Sequence, residues 1–334
     1  MKQPDTTSAT TITAAAVEQA AQDLRPYLPF TPLQPSSAFT AKVGCPVHLK
    51  LETVQPIRSF KVRGALHKLL RTHPEERAAG VVTASAGNHG QGVAYAARTF
   101  GVPATVFVPD GANPLKVEAI GRLGGTVVHH GRSYQDAYLE AVRAQAETGA
   151  TFVHAYDDPD VVAGQGTVAV ELLGDQADRP ALPEFDTVVV PVGGGGLISG
   201  IALYCKARLP GVRVVGVEPT GADALTRSLE AGEITTLDRV QTVADGLAAS
   251  APGRLTYELA ARHVDTMLRV EDDELLRAIR LLFEWEHVLA EPAGGAAVAA
   301  LLSRYRPAPG ERIVAIVSGA NVTRDVMLRA LQSR

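Results

Sequence analysis

The 334-residue sequence predicts an α/β protein built from two open parallel-sheet domains. Three observations carry that prediction. From residue 80 to 155, short β-branched runs alternate with helical stretches in a β-α-β-α-β order. A second alternation of the same kind runs from residue 188 to 317. Strands joined through helices run parallel, and such a sheet is covered on both faces. Apolar residues make up 46% of the chain and charged ones 20%, enough to bury a large core.

In the first alternation, 80–83 reads as a strand, 87–99 as a helix and 104–108 as a strand. A helix at 114–123, a strand at 126–129, a helix at 133–147 and a strand at 151–155 follow, with Ser133 as N-cap. In the second, 188–192 is a strand, 197–208 a helix and 212–218 a strand. Helices near 223–231, 272–286 and 294–305 lead to a last strand at 312–317. No internal repeat and no low-complexity linker interrupts this order. The divisions fall near residues 80 and 157. They give a large domain from 1–80 and 158–334, with a small α/β domain, 81–157, inserted in it.

Composition removes several function classes. A net charge of −4 gives no reason to expect nucleic acid. The longest apolar stretches, such as 294–302, are too short to span a bilayer, so no membrane role is expected. Residues 1–22 are rich in Thr and Ala and lack a basic end followed by an apolar run, so they do not read as a secretory signal. The first dozen residues are expected to be mobile. The two cysteines, Cys45 and Cys205, have no metal-type spacing and suggest no disulfide framework, which fits a reducing, cytoplasmic setting.

Chemistry concentrates in a few segments. Lys61 sits between Phe60 and Val62 in a partly apolar segment, where an amine can be desolvated and made nucleophilic. Gly193-Gly194-Gly195-Gly196 lies between an apolar strand and the helix that begins near Leu197. Glycines there expose backbone N–H groups at a helix N-terminus, a seat for phosphate. A dinucleotide fingerprint is only half present. Counted from Gly193 or Gly194, the third glycine position falls on Ile198 or Ser199, although Glu218 ends the next strand. No Gly-Lys-Ser/Thr follows, so a P-loop is also excluded. A reactive lysine with a phosphate seat points to pyridoxal 5′-phosphate held as a Schiff base.

Two further turns qualify as ligand contacts. Ser85-Ala86-Gly87-Asn88-His89 joins a strand to a helix, and its amides can hold a carboxylate. Ser318 follows the last strand, where open α/β sheets place ligands. Asp157, Asp158 and Asp160 read as caps of the next helix, and His129 and His130 as solvated residues.

Together these segments resemble the threonine dehydratase family of PLP enzymes, with the tryptophan-synthase-like fold (fold type II). The resemblance runs from about Thr31 to Asn321 and rests on motifs in the family's order. They are Gln55-Pro56-Ile57-Arg58-Ser59-Phe60-Lys61-Val62-Arg63-Gly64-Ala65, Ala84-Ser85-Ala86-Gly87-Asn88-His89-Gly90-Gln91-Gly92 and Ala163-Gly164-Gln165-Gly166-Thr167. Pro191-Val192 with the glycine run, Glu291-Pro292-Ala293-Gly294 and Ser318-Gly319-Ala320-Asn321 complete the set. The resemblance implies that Lys61 carries the cofactor and acts as the base, that Phe60 packs near it and that Asn88 bonds the ring's 3′-oxygen. It further implies that Gly193, Gly194, Gly195, Gly196 and Leu197 bind the phosphate and that Ser318 faces the ring nitrogen. Ser85, Ala86, Gly87, Asn88 and His89 would hold the substrate carboxylate, Ser85 being counted with Lys61 as catalytic. The implied reaction is β-elimination from a β-hydroxy amino acid, L-threonine or L-serine, giving a 2-oxo acid and ammonia. L-phenylserine or 3-hydroxyaspartate would suit the same chemistry, with Ala155 and Arg58 as the positions that decide.

The departures also matter. Serine racemases resemble the chain but carry serine where it has Ala86, which argues against racemisation. Their cation site would need an acid like Glu218, a carbonyl like that of Ala222 and an aspartate where this sequence has Ala224, so no metal is expected. Many relatives have glycine at Arg58. The chain ends at Arg334, without the regulatory domain of biosynthetic relatives, so no feedback through one is expected. A homo-oligomer, dimer or tetramer, is implied.

Overall fold

A computed structural model describes residues 12–174 and 184–333. The expected mobile start falls on residues 1–11 and lies outside them. The strands are β1 (Leu33–Pro35), β2 (Val47–Leu51), β3 (Val81–Ala84), β4 (Ala104–Val108) and β5 (Thr126–His129), then β6 (Thr151–Phe152), β7 (Thr187–Pro191), β8 (Arg213–Pro219), β9 (Thr266–Val270) and β10 (Ile313–Val317). They form a six-stranded sheet, ordered β1-β2-β10-β7-β8-β9, and a four-stranded sheet, ordered β5-β4-β3-β6. The two open sheets are the expected α/β class. Every pairing is parallel except β1 with β2, which makes an antiparallel edge.

Most expected elements lie within a residue or two of their places, and helix Asp272–Glu286 has the expected bounds. Ser133 caps helix Tyr134–Thr148, with Asp136 completing a capping box. Two differences are informative. The strand expected at 151–155 ends at Phe152, because the following carbonyls are used elsewhere. Val153 O accepts from Thr83 Oγ1 at 2.8 Å and from His89 Nε2 at 2.9 Å, and Ala155 O from Lys61 Nζ at 2.7 Å. And β1, β2 and β9 were not expected. β2 is short and carries Lys50 among its apolar residues, which obscures a strand pattern.

Helices Lys61–Arg71, Pro159–Leu173 and Gly196–Arg208 pack backbone against backbone. A Cβ at Gly164 would meet the Gly64 Cα at 2.7 Å, and one at Gly200 the Gly166 Cα at 2.7 Å, so the small residues of the expected motifs set the packing distance. Burial of helix Pro159–Leu173 from Val161 to Leu172 follows from lying between these partners.

Buried charge locks the same layer. Arg63 Nε and Nη2 reach the two oxygens of Glu52 at 2.7 and 2.8 Å, and Nη1 reaches Glu171 Oε1 at 2.7 Å. Lys50 Nζ lies 2.5 Å from Glu171 Oε2. The paired cations hold the Glu171 carboxyl down at about 2 against the upward push of burial. Deleting one partner would strand a buried charge, at a cost of about 3–5 kcal/mol. Arg63 is two residues from Lys61, so this network fixes the first turn of the Lys61 helix.

Candidate active site

Lys61 is the first residue of its helix. Its Nζ donates to Ala155 O and lies 5.3 Å from the Phe60 ring centroid, and no carboxylate pairs with it among the described residues. Desolvation lowers its amine to about 8, so a usable fraction is unprotonated near neutral pH.

A closed circuit of contacts runs from this lysine around the expected site. Ala155 leads to Tyr156, whose ring lies against the glycine run. A Cβ at Gly194 would overlap that ring, and one at Gly196 would meet the Tyr156 Cβ at 3.0 Å. Gly195 has φ +93°, a left-handed conformation that glycine adopts without strain, and it caps helix Gly196–Arg208. Thr256 Oγ1 donates to Gly194 O at 2.7 Å and pins the loop. A Cβ at Gly193 would meet the Leu247 Cα at 3.1 Å, and Gly246 beside it faces Glu291 and Asn88. Asn88 Nδ2 donates to Glu291 Oε1 at 2.6 Å, and Glu291 N donates to Gly319 O at 3.1 Å. Finally Phe60 N donates to Ser318 O at 3.1 Å and Ala320 N to Arg58 O at 2.8 Å, which returns the circuit to the lysine segment. Ser318 is buried at the end of the central strand β10, its Oγ 3.4 Å from Ala293 O.

The Ser85–His89 turn connects β3 to helix Asn88–Phe100. Ser85 Oγ accepts from Gly87 N at 3.2 Å, a local turn that leaves Ser85, Ala86 and Gly87 half-buried. His89 is different. Its side chain is buried and bonded to Val153 O, and burial holds the imidazole neutral, at about 3.

Several expectations for neighbouring groups resolve into structure. Of the three acids expected to cap the next helix only Asp158 does so, accepting from Asp160 N and Val161 N; Asp157 instead accepts from Leu255 N and Thr256 N at the start of helix Arg254–His263, and Asp160 pairs with Lys68. Glu218 accepts from Leu225 N at 3.0 Å, from Thr226 N at 2.8 Å and from the Thr226 hydroxyl. The carboxylate is therefore spent on the turn into helix Ala224–Ala231, and Asp223 is paired with Arg227 and Arg269. Among the described residues no three or more His, Cys, Asp or Glu side chains cluster in the manner of a metal centre. Arg58 is exposed, with φ +59°, a left-handed conformation that a glycine would adopt with less strain.

Sequence reasoning passed over three groups here. Glu291, quoted above only within a motif, stands at the N-cap position of helix Pro292–Ser303, yet its side chain makes no cap bond and turns to Asn88. Asn321 Nδ2 donates to Asn88 Oδ1 at 2.6 Å. Lys116 pairs with Asp245, and this is the one ion pair among the described residues between segment 81–157 and the rest.

The donor set fits pyridoxal phosphate. An unpaired, desolvated amine suits its aldehyde, and a glycine-built helix N-terminus, where first-turn N–H groups lack intrahelical acceptors, suits its phosphate. A neutral hydroxyl and an amide suit the ring nitrogen and oxygen.

Comparison with known proteins agrees. The L-threonine ammonia-lyase of Thermotoga maritima is 40% identical over 320 residues, 96% of this chain and 78% of that protein. The L-threonine ammonia-lyase of Geobacter sulfurreducens is 42% identical over 306 residues, 92% of this chain and 75% of that protein. The solved structure of maize serine racemase superposes with a TM-score of 0.90 at 36% identity, covering 96% of this chain and 97% of that one. The processed form of threonine deaminase isoform 2 from Solanum lycopersicum superposes with a TM-score of 0.87 at 32% identity, covering 97% of this chain and 95% of that one. The family model described as pyridoxal-phosphate dependent enzyme matches residues 24–319, and the chain belongs to that family.

Proposed function

We propose that this chain is a PLP-dependent ammonia-lyase that converts L-threonine and L-serine to 2-oxo acids and ammonia. The observation that carries this reading is Lys61, a desolvated amine without an acid partner, joined by one circuit of contacts to the glycine run and Ser318. The names of the related threonine ammonia-lyases support the substrate class.

Bound there, pyridoxal phosphate would supply an electron sink for the substrate's α-carbon. Lys61 Nζ would hold it, the amides of Gly193, Gly194, Gly195, Gly196 and Leu197 would take its phosphate, and Phe60 would pack beside it. Asn88 would donate to the ring oxygen. Ser318, being neutral, would not impose a proton on the ring nitrogen, which keeps the sink weak and favours prompt loss of the β-hydroxyl. The Ser85–His89 turn would hold the substrate carboxylate, with Ser85 counted beside Lys61 as catalytic. Lys61, with its lowered amine, is suited to take the α-proton. The β-hydroxyl leaves as water, and the enamine that results takes up water to give a 2-oxo acid and ammonium.

The division into a large domain (1–80 and 158–334) and a small one (81–157) belongs to the same proposal. The strands of the two sheets lie on either side of these bounds, which supports it. A homo-oligomer is supported by exposed apolar side chains at Phe283, Trp285, Leu289, Leu328 and Leu331. A cytoplasmic setting is supported by two buried free cysteines, and no helix among the described residues is long and apolar enough to cross a membrane.

The test is 2-oxo acid release from L-threonine and L-serine by the PLP-loaded protein, with L-phenylserine alongside. 2-Oxobutyrate from threonine is expected. Phenylpyruvate without 2-oxobutyrate would keep the chemistry and move the substrate to a bulky β-substituent beside Ala155. A colourless protein with no product would overturn the reading.

A further inference from the structure

The amide of Asn88 is clamped from two sides, and the clamp fixes which way it faces. Asn321 Nδ2 lies 2.9 Å from Ile57 O and 2.6 Å from Asn88 Oδ1. A backbone carbonyl can only accept, so the nitrogen of Asn321 must face it. That nitrogen then donates to Asn88, so Asn88 presents its oxygen to Asn321 and its nitrogen to Glu291. One N–H of Asn88 is taken by Glu291 Oε1, and the other remains for a ligand.

Glu291 is placed for this and for little else. It is 3% exposed, lies 203 residues from Asn88 in the chain, and stands at a helix start without capping it. The pocket is shaped around its carboxyl, since a Cβ at Gly319 would overlap Oε1 and one at Gly246 would lie 4.0 Å from it. Burial pushes this acid up, while the Asn88 bond and the Lys116 charge hold it down. Either protonation state keeps an oxygen able to accept from Asn88.

We propose that Glu291 is a positioning residue: by accepting one N–H of Asn88 it holds that amide as a fixed donor toward the cofactor's ring oxygen. This rests on the reading of Lys61 and Asn88 as cofactor residues. It assigns a role to a residue that touches neither substrate nor cofactor.

The experiment uses the full chain and reads the PLP dissociation constant and the visible absorbance of the bound cofactor. The variants are Glu291→Gln, Glu291→Leu, Asn88→Ala and the double variant Asn88→Ala/Glu291→Leu. Glutamine keeps an accepting oxygen and should stay within about threefold of wild type in affinity, with an unchanged spectrum. Leucine cannot accept, and should weaken binding by about tenfold or more and shift the balance between the long- and short-wavelength bands. In the Asn88→Ala background the leucine substitution should add almost nothing, because its route is already gone. A leucine variant indistinguishable from wild type would overturn the proposal, as would a leucine effect that persists undiminished without Asn88. If the leucine variant does not fold, Glu291→Met, whose thioether is only a weak acceptor, is read in its place with the same expectations. A wild-type chain that takes up no PLP overturns the cofactor reading and this proposal together; a wild-type chain that binds PLP while Glu291→Leu changes nothing overturns this proposal alone.

Discussion

The two sheets stand on very different foundations. In the six-stranded sheet, β7 and β10 are buried at every position, and helix Pro292–Ser303 is buried from Pro292 to Leu301. In the four-stranded sheet, β5 is partly open along its whole length. Helix Pro114–Arg122 buries only Ile120, and helix Tyr134–Thr148 only Ala137 and Ala141. Local opening is easiest where few apolar contacts must be broken. The glycine run and Ser318 belong to the six-stranded sheet, and the Ser85–His89 turn to the four-stranded one, where its flanking strand β3 and helix Asn88–Phe100 are buried but the outer elements are open. We read this contrast as a division of labour: Lys61, the glycine run and Ser318, proposed for the cofactor, belong to the buried frame, while the turn proposed for the substrate belongs, with Asn88, to the four-stranded part.

The strongest challenge to this comparison is chemical. Lys61→Ala should remove turnover by about a thousandfold or more, measured as 2-oxo acid release, while leaving the thermal midpoint close to wild type. A near-normal rate would separate Lys61 from the reaction and leave the frame without its purpose. The next test weighs the two sides directly. Ile316→Ala, at the centre of β10, should cost about 3–5 kcal/mol and lower the stability of the whole chain together with PLP affinity. Ile120→Ala should cost about 2–4 kcal/mol, but locally. Hydrogen exchange should then quicken around residues 104–129, and KM for the amino acid should rise with PLP affinity unchanged. Equal quickening in the six-stranded sheet would erase the distinction. A smaller effect is expected at the glycine run, where Gly194→Ala presses a Cβ on the Tyr156 ring. PLP binding should weaken by about tenfold with little change in KM, read by titrating the apoprotein.

The four-stranded sheet was the more fully legible in the sequence, since all four of its strands were expected, whereas β1, β2 and β9 of the six-stranded sheet were not. Parallel strands buried on both faces are written as continuous β-branched runs, such as those of β7 and β10, and glycines at a strand-to-helix junction have few other uses. What escaped detection was set by partners distant in the chain. Glu291 before Pro292 looks like an ordinary cap, and only the fold shows that its side chain reaches Asn88 instead. β2 hides because Lys50 interrupts its apolar pattern, and the reason Lys50 can be buried there is Glu171, on another helix. The early end of β6 depends on Lys61 and His89 taking carbonyls that a ladder would otherwise use. Tyr156 as the wall of the glycine run likewise needs a contact that no local pattern encodes.

The last prediction turns the comparison into opposite responses to pH. On the buried side, desolvation raises Glu218 to about 7, well above its unfolded value of 4.5. The native state therefore holds a proton that the unfolded state releases, and the stability from this group is full below 4.5 and lost as pH rises through about 7. On the open side, the backbone N–H of Ser133, its hydroxyl and the N–H of Arg132 lower Asp136 below its ordinary 3.8. That contribution is present above 3.8 and is lost as pH falls below it. Between pH 4.5 and 7 the six-stranded sheet should therefore loosen with rising pH by about 3 kcal/mol, while helix Tyr134–Thr148 should fray only in stronger acid. Hydrogen exchange against pH, compared at equal chemical exchange rates, reads both at once. Glu218→Gln should flatten the first slope and leave the second untouched; the same slope in that variant would mean that Glu218 is ionised throughout and that the buried frame tolerates an uncompensated charge.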